Sequence, residues 1–390
     1  MPRATPIYLD HHATTPVDGR VFDAMRPYMT EKFGNPSSID HPYGAEASSA
    51  VEHARGRIAE LIGSKSSEVV FTSGATESNN MALIGTMEKY EDRGDHLVTC
   101  TTEHKAVLDV ARHLEERGKR VTYVPVNDRG EINMRDLGAA ITDSTVMISI
   151  MAANNEVGTI ADVEGIGRIA HERDVIFHTD AAQAVGHIPI DVGRMNVDLM
   201  SFSAHKMYGP KGIGGLYVRG IKPRIRPDPI IRGGGHERNM RSGTLNVPGI
   251  VGFGRAAEIA MSEMAGEEKR FRGWSGMITD AFAKAGGRVN GPLKNRLAHN
   301  ISAYFPGIES KAIINMVSDR IAISAGSACT TQTVEPSHVL LAMGLGEERS
   351  HQSIRIGLGR YNTEGDIRAA IEAIITAVNR LKSISVCPDS

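Results

Sequence analysis

The residues best placed to do chemistry lie at the ends of apolar runs. Ser201-Phe-Ser-Ala-His-Lys206 reads as a strand that delivers Ser203, His205 and Lys206 to its carboxyl end, the edge where open α/β sheets bind ligands. A lysine held there, away from bulk water, loses its charge readily and becomes an amine nucleophile. A solvated lysine in a glycine-rich loop fits the same residues. Val175-Ile-Phe-His-Thr-Asp180 ends on a carboxylate. Such a group can pair with a protonated ring nitrogen and keep a heteroaromatic cofactor electron-poor, or it can cap the next helix. Phe71-Thr-Ser-Gly-Ala-Thr-Glu-Ser-Asn79 opens a helix with small residues. Its free N–H groups suit a phosphate; an ordinary turn capped by Ser73 or Thr76 is the alternative.

The three cysteines, Cys100, Cys329 and Cys387, form no CxxC pair. That spacing speaks against a disulfide framework or a zinc ribbon, and free thiols fit a reducing cytoplasm. Cys329 stands in Ser324-Ala-Gly-Ser-Ala-Cys-Thr-Thr-Gln-Thr-Val334. Small and hydroxyl residues on both sides predict a mobile loop and not a packed strand. A thiolate on such a loop can reach a bound substrate, attack its sulfur and swing out with the product. Glu335-Pro-Ser-His338 opens a helix that anchors the far end. Cys100 and Cys387 receive no part. The pair His11-His12 could suggest a metal, but no HExxH or third-ligand spacing accompanies it; it reads as local variation, and no metal site is expected.

The surrounding elements are those of an α/β chain. Strands are expected at 68–72, 96–100, 120–124, 145–150, 175–179 and 199–202, with helices between them. Val51, Ala54, Ile58, Leu61 and Ile62 share one helical face that Gly63 stops. Strand–helix–strand repetition implies a mostly parallel sheet covered on both faces. Beyond about residue 262 the texture changes. A long helix over 255–285, short strands at 299–304 and 320–324, and a final helix capped by Thr363 near Asp366 suggest a smaller α+β domain.

The 390 residues suggest two or three domains. A net charge of −2 gives no reason to expect nucleic acid or an anionic membrane as a direct partner. No apolar run approaches membrane-spanning length, and the N-terminus lacks an apolar signal region. Gly212–Gly215 and Gly233–Gly235 lack the spacing of nucleotide-binding loops.

Taken in order, the segments resemble one family. They are Ala13-Thr-Thr-Pro16, Gly34-Asn-Pro-Ser-Ser38, Gly74-Ala-Thr-Glu-Ser78, Thr102-Glu-His-Lys105, Asn154-Asn-Glu-Val-Gly158, His178-Thr-Asp-Ala-Ala-Gln183, Ser203-Ala-His-Lys206, Gly233-Gly-Gly-His-Glu-Arg238, Arg241-Ser-Gly-Thr244 and Ser324-Ala-Gly-Ser-Ala-Cys-Thr330. Together they are similar to the NifS/IscS-like cysteine desulfurases, a class V aminotransferase branch of the fold-type I enzymes that use pyridoxal 5'-phosphate. The resemblance spans nearly the whole chain. It implies a large cofactor-binding domain over 15–261 with a mostly parallel seven-stranded sheet. A smaller α+β domain would take 1–14 and 262–390 and carry the cysteine loop.

The resemblance also assigns roles. Lys206 would be joined to the cofactor, His104 would stack on its ring and move protons, and Asp180 would bind the ring nitrogen. Asn155 and Gln183 would contact the ring hydroxyl side. Ala75, Thr76, Ser203 and His205 would hold the phosphate, with Thr244 reaching the phosphate of a second subunit in a homodimer. Arg355 would clamp the substrate carboxylate with its planar fork, assisted by Asn35; Arg360 is a nearby competitor. L-cysteine would become L-alanine, with the sulfur kept as a persulfide on Cys329 for a protein acceptor. Iron–sulfur assembly, tRNA thiolation and DNA phosphorothioation are the destinations. The end of the chain at Ser390, soon after the last helix, points away from an iron–sulfur scaffold. Another reaction on the same fold, transamination or selenocysteine lysis, is the rival.

Overall fold

The computed structural model describes residues 5–221, 223–325 and 335–385. Within them a seven-stranded sheet runs in the order Val69–Thr72, Gly214–Val218, Leu199–Ser203, Ile176–Asp180, Thr145–Ser149, His96–Cys100 and Arg120–Val124. Gly214–Val218 is antiparallel to both neighbours, and the remaining pairs are parallel.

Alternate residues of each strand feed opposite faces. Phe71, Val98, Ile148, Phe177 and Phe202 belong to one core with the helix Pro42–Ile62, whereas Val70, Leu97, Met147, Ile176 and Leu199 belong to another with Ala75–Lys89 and Lys105–Glu116. Burial on both faces explains the near-continuous apolar runs of these strands.

A four-stranded antiparallel sheet stands apart, built from Ser324–Ala325, Ser353–Gly357, Asn300–Tyr304 and Arg288–Val289. Its core contains Phe282, Ile301, Phe305, Ile356 and Ile374. The N-terminal strand Ile7–Tyr8 joins this part by pairing with Ile321–Ala322.

One helix serves both cores. Val247–Lys284 is 38 residues long, about 57 Å at 1.5 Å per residue. Its Ile250, Phe253 and Ala257 pack beneath the large sheet, and its Phe271, Trp274, Ile278 and Phe282 pack under the small one. It begins eight residues earlier than the sequence pattern suggests. Asn246 caps it by accepting a hydrogen bond from Gly249 N, and a proline occupies its first turn. The final helix, Glu364–Ser385, starts with a reciprocal cap: Thr363 Oγ1 accepts from Asp366 N, and the Asp366 carboxylate accepts from Thr363 N.

Candidate active site

The carboxyl ends of the strands bring the site together. Asp180 ends its strand directly beside Ser201 of the next, and Ser203 lies opposite Gly214. A Cβ at Gly214 would stand 2.6 Å from the Cα of Gly74, so glycine is required for the approach. That approach sets the start of the helix Ala75–Lys89 against the strand that delivers Lys206. Ser78 Oγ fixes the junction, 2.8 Å from Thr72 Oγ1 and 3.0 Å from the Gly215 carbonyl.

A cavity of about 500 Å³ opens there. Ala75, Thr76, His104, Asn155, Asp180, Gln183, Ser203, His205, Lys206 and Arg355 all line it. Asn35 and Thr244 do not: both are exposed, and the Asn35 side chain accepts from Ser37 N. Cys329 lies outside the described residues, as does Cys387.

Lys206 Nζ donates to the carbonyls of His12 and Ala13, the latter at 3.0 Å. Burial, with the positive charge of Arg355 nearby, lowers its ammonium to about 8. The Asp180 carboxylate is held from both sides, by Asn79 Nδ2 at 2.7 Å and Ala182 N at 2.9 Å. His104 caps the helix Lys105–Glu116: its Nδ1 accepts from Ala106 N at 3.1 Å. The hydrogen of the neutral ring therefore sits on Nε2. His205 Nδ1 meets Thr14 Oγ1 at 3.0 Å, and burial pushes this imidazole down to about 4.

Arg355 is almost fully buried. Its Nη2 donates to Asp10 Oδ1 at 2.9 Å and its Nη1 to the Asn155 carbonyl at 3.1 Å, while its Nε is buried without a partner. Arg360 is committed elsewhere. It bonds Asp18 at 2.8 Å and Glu267 at 2.5 Å and lies 4.2 Å over the Tyr208 ring. Of the two arginines, Arg355 lines the cavity and Arg360 does not.

Two residues that sequence reasoning left without a role complete the geometry, Asn79 behind Asp180 and Asp10 behind Arg355. Asn79 ends the segment Phe71–Asn79 and Asp10 follows the strand Ile7–Tyr8, but a partner 101 or 345 residues away leaves no periodic signal.

The family model for class-V aminotransferases matches residues 7–369. The chain belongs to the class-V aminotransferase family. Within this family it is 49% identical over 384 residues to a protein of Rickettsia felis named cysteine desulfurase IscS, covering 97% of this chain and 93% of that one. A solved NifS-like protein superimposes with a TM-score of 0.90 at 39% identity, over 96% of this chain and all of the other. A structure described as SspA in complex with cysteine gives a TM-score of 0.79 at 38% identity, over 92% of this chain and all of the other. Relatives named for cysteine desulfuration, matching over nearly the full length, place this class-V aminotransferase among the cysteine desulfurases. Transamination is not favoured.

The donor set suits pyridoxal phosphate, the cofactor that the family implies. An amine of lowered basicity, a braced carboxylate and a helix start share one cavity. That helix has Gly74 at its N-cap and no side chain closing its first turn, which leaves amides for a phosphate. Among the described residues no cluster of His, Cys, Asp or Glu is arranged for a metal ion. No described helix is long and apolar enough to cross a membrane.

Proposed function

We propose that the chain takes sulfur from L-cysteine, releases L-alanine and keeps the sulfur as a persulfide on Cys329. Residues 15–261 hold pyridoxal phosphate on Lys206; residues 1–14 with 262–390 carry Arg355 and the Cys329 segment. When bound, the cofactor supplies an electron sink for charge developing at the substrate α-carbon.

The protein residues divide the remaining work. Asp180, fixed by Asn79 and Ala182 N, offers its carboxylate to the ring nitrogen. The first turn at Ala75 and Thr76, with Ser203 and His205, takes the phosphate. Arg355 takes the substrate carboxylate, for which its unpartnered Nε and one Nη form a planar fork. Lys206, once neutral, removes the α-proton at Nζ, and His104 has its Nε2 hydrogen to share. The Cys329 thiolate attacks the substrate Sγ. The Sγ–Cβ bond breaks with its electron pair going to Cβ, where a proton replaces the sulfur. One thiol and one cysteine thereby give one persulfide and one alanine.

The observation carrying this reading is the junction at the start of the cysteine segment. Ser324 pairs with Arg355 across two strands, and its hydroxyl donates at 3.0 Å to the Asp10 carboxylate that holds the same arginine. Cys329 follows Ala325 by four residues, a span of at most about 14 Å. Its segment therefore starts beside the residue that binds substrate. A protein acceptor then removes the sulfur, and two copies of the chain, with Thr244 of each reaching the other's phosphate, form the working unit.

The test is Cys329→Ala. This variant should bind cofactor and show its visible absorbance, yet form no alanine from L-cysteine. Alanine formed at the wild-type rate would refute sulfur capture by Cys329, and a protein that never takes up the cofactor would refute the whole reading.

A further inference from the structure

A second cavity, of about 950 Å³, shares no lining residue with the catalytic one. One wall belongs to the helix Val247–Lys284. Arg272, Ser275, Gly276 and Thr279 follow the three- and four-residue spacing of a single helical face there. The turn at Arg129 and the segment carrying Arg288, Lys294 and Arg296 close other sides.

Charge is unevenly spread around this space. Six cations line it, Arg129, Arg272, Arg288, Lys294, Arg296 and Arg349, against three carboxylates, Asp128, Glu131 and Asp280. Glu268, outside the lining, pairs with Arg272 at 2.5 Å. Six cations against four carboxylates leave a surplus of two positive charges.

Arg296 shows what the surplus is for. It is only 6% exposed. Its Nη2 donates to Ser275 Oγ at 2.7 Å, and its Nη1 is buried without a partner. No carboxylate among the described residues pairs with it, and the charge felt beside it is the like charge of Arg272. An unpaired buried charge is costly, and a guanidinium does not escape that cost by giving up its proton. An anion in the cavity is the remaining counter-charge. Ser275 connects the two. Its oxygen accepts from Arg296, so its own hydrogen is free to donate to a ligand.

We propose that this cavity binds a phosphate-bearing small molecule, with Ser275, backed by the buried Arg296, donating to the phosphate and with Arg129, Arg288 and Lys294 supplying the surrounding charge. A phosphate dianion matches the surplus of two. The site uses neither Lys206 nor Cys329, so it stands or falls apart from the proposed desulfuration.

The experiment is isothermal titration calorimetry of the cofactor-loaded protein with pyrophosphate, at constant ionic strength and after free pyridoxal phosphate has been removed. The catalytic cavity is then already filled. The wild type should show saturable binding in the millimolar range or tighter. Arg296→Met should weaken it by roughly tenfold or more, the effect of losing a hydrogen bond backed by a charge. Ser275→Ala should weaken it in the same direction. Lys311→Met removes an equal charge from an exposed residue outside the cavity and should bind like the wild type. If Arg296→Met is insoluble, Ser275→Ala and Arg288→Met together replace it. No saturable binding by the wild type overturns the proposal. So does wild-type affinity in Arg296→Met or in both replacement variants, and so does an equal loss in Lys311→Met.

Discussion

The carboxylate of Asp10 lies 2.9 Å from Nη2 of Arg355, across 345 residues of chain. The ion pair holds the guanidinium in place while leaving Nε without a partner, a fork preset for a carboxylate. Lysine cannot reproduce it, because an ammonium is a point charge without parallel donors. Arg355→Lys should raise KM for L-cysteine by roughly 10- to 150-fold, the equivalent of about 1.5–3 kcal/mol for a hydrogen bond to a charged group. Cofactor uptake should be unchanged. Steady-state alanine formation, with absorbance as the loading control, measures both.

Cys100 should be chemically silent. Burial, reinforced by the nearby Glu103, pushes its thiol up to about 11, so almost no thiolate exists at pH 8. Its Sγ lies 3.2 Å from Thr102 Oγ1 in a buried setting. Treating the native protein with iodoacetamide at pH 8 should leave the Cys100 peptide unlabelled, with labelling appearing only after unfolding. Cys100→Ala should keep full alanine formation. Loss of activity tracking modification of Cys100 would contradict this.

Much of this was readable from the residues in order. The strands at 96–100 and 120–124 match residue for residue: the first is buried throughout, whereas the second, at the sheet edge and buried only at Val124, is marked by its β-branched and aromatic residues. Gly63 stops its helix in the left-handed conformation, φ 69°, as its position implies. The strand Gly214–Val218 escaped notice, since its glycines answer to neighbours and not to strand propensity. A Cβ at Gly215 would stand 2.6 Å from the Phe202 ring. The stacking of His12 on His299, and of His299 on His187, was equally hidden. His12, His187 and His299 have no common spacing and meet only when the chain folds. Local pattern carries elements, whereas contacts between distant segments must be seen in three dimensions.

Glu156 gives a pH signature of its own. Its carboxylate accepts a hydrogen bond from the buried Ser337 hydroxyl, at the base of the helix His338–Ala342. Burial raises this carboxyl from 4.5 to about 7, against the opposing effects of Ser337 and Arg355. The native state therefore binds a proton between these values that the unfolded chain has released. Stability must fall as pH rises through that window. Glu156→Gln removes the titration. Its stability relative to the wild type should grow by roughly 2–3 kcal/mol between pH 4 and pH 8. Urea unfolding at several pH values measures the difference, and a gap independent of pH would show that the carboxyl does not titrate there.

Lys206 should titrate with the opposite slope. In the cofactor-free protein its ammonium is lowered from 10.5 to about 8, first by burial and then by Arg355. Between these values the unfolded chain binds a proton that the native chain does not, so stability rises with pH through the window and the full penalty applies below it. The hydrogen bonds to the His12 and Ala13 carbonyls return part of that penalty. Cofactor-free Lys206→Met should thus be more stable than the wild type at pH 7 by roughly 1–3 kcal/mol, and the advantage should vanish near pH 10.5. The same proton controls reactivity, since only the neutral amine attacks a carbonyl. The rate at which the wild type takes up pyridoxal phosphate should climb about tenfold per pH unit below 8 and level off above it. Stopped-flow absorbance across pH 6–10 reads this directly. A rate still rising at pH 10 would mean that the lysine keeps its ordinary basicity and that the cavity does not desolvate it.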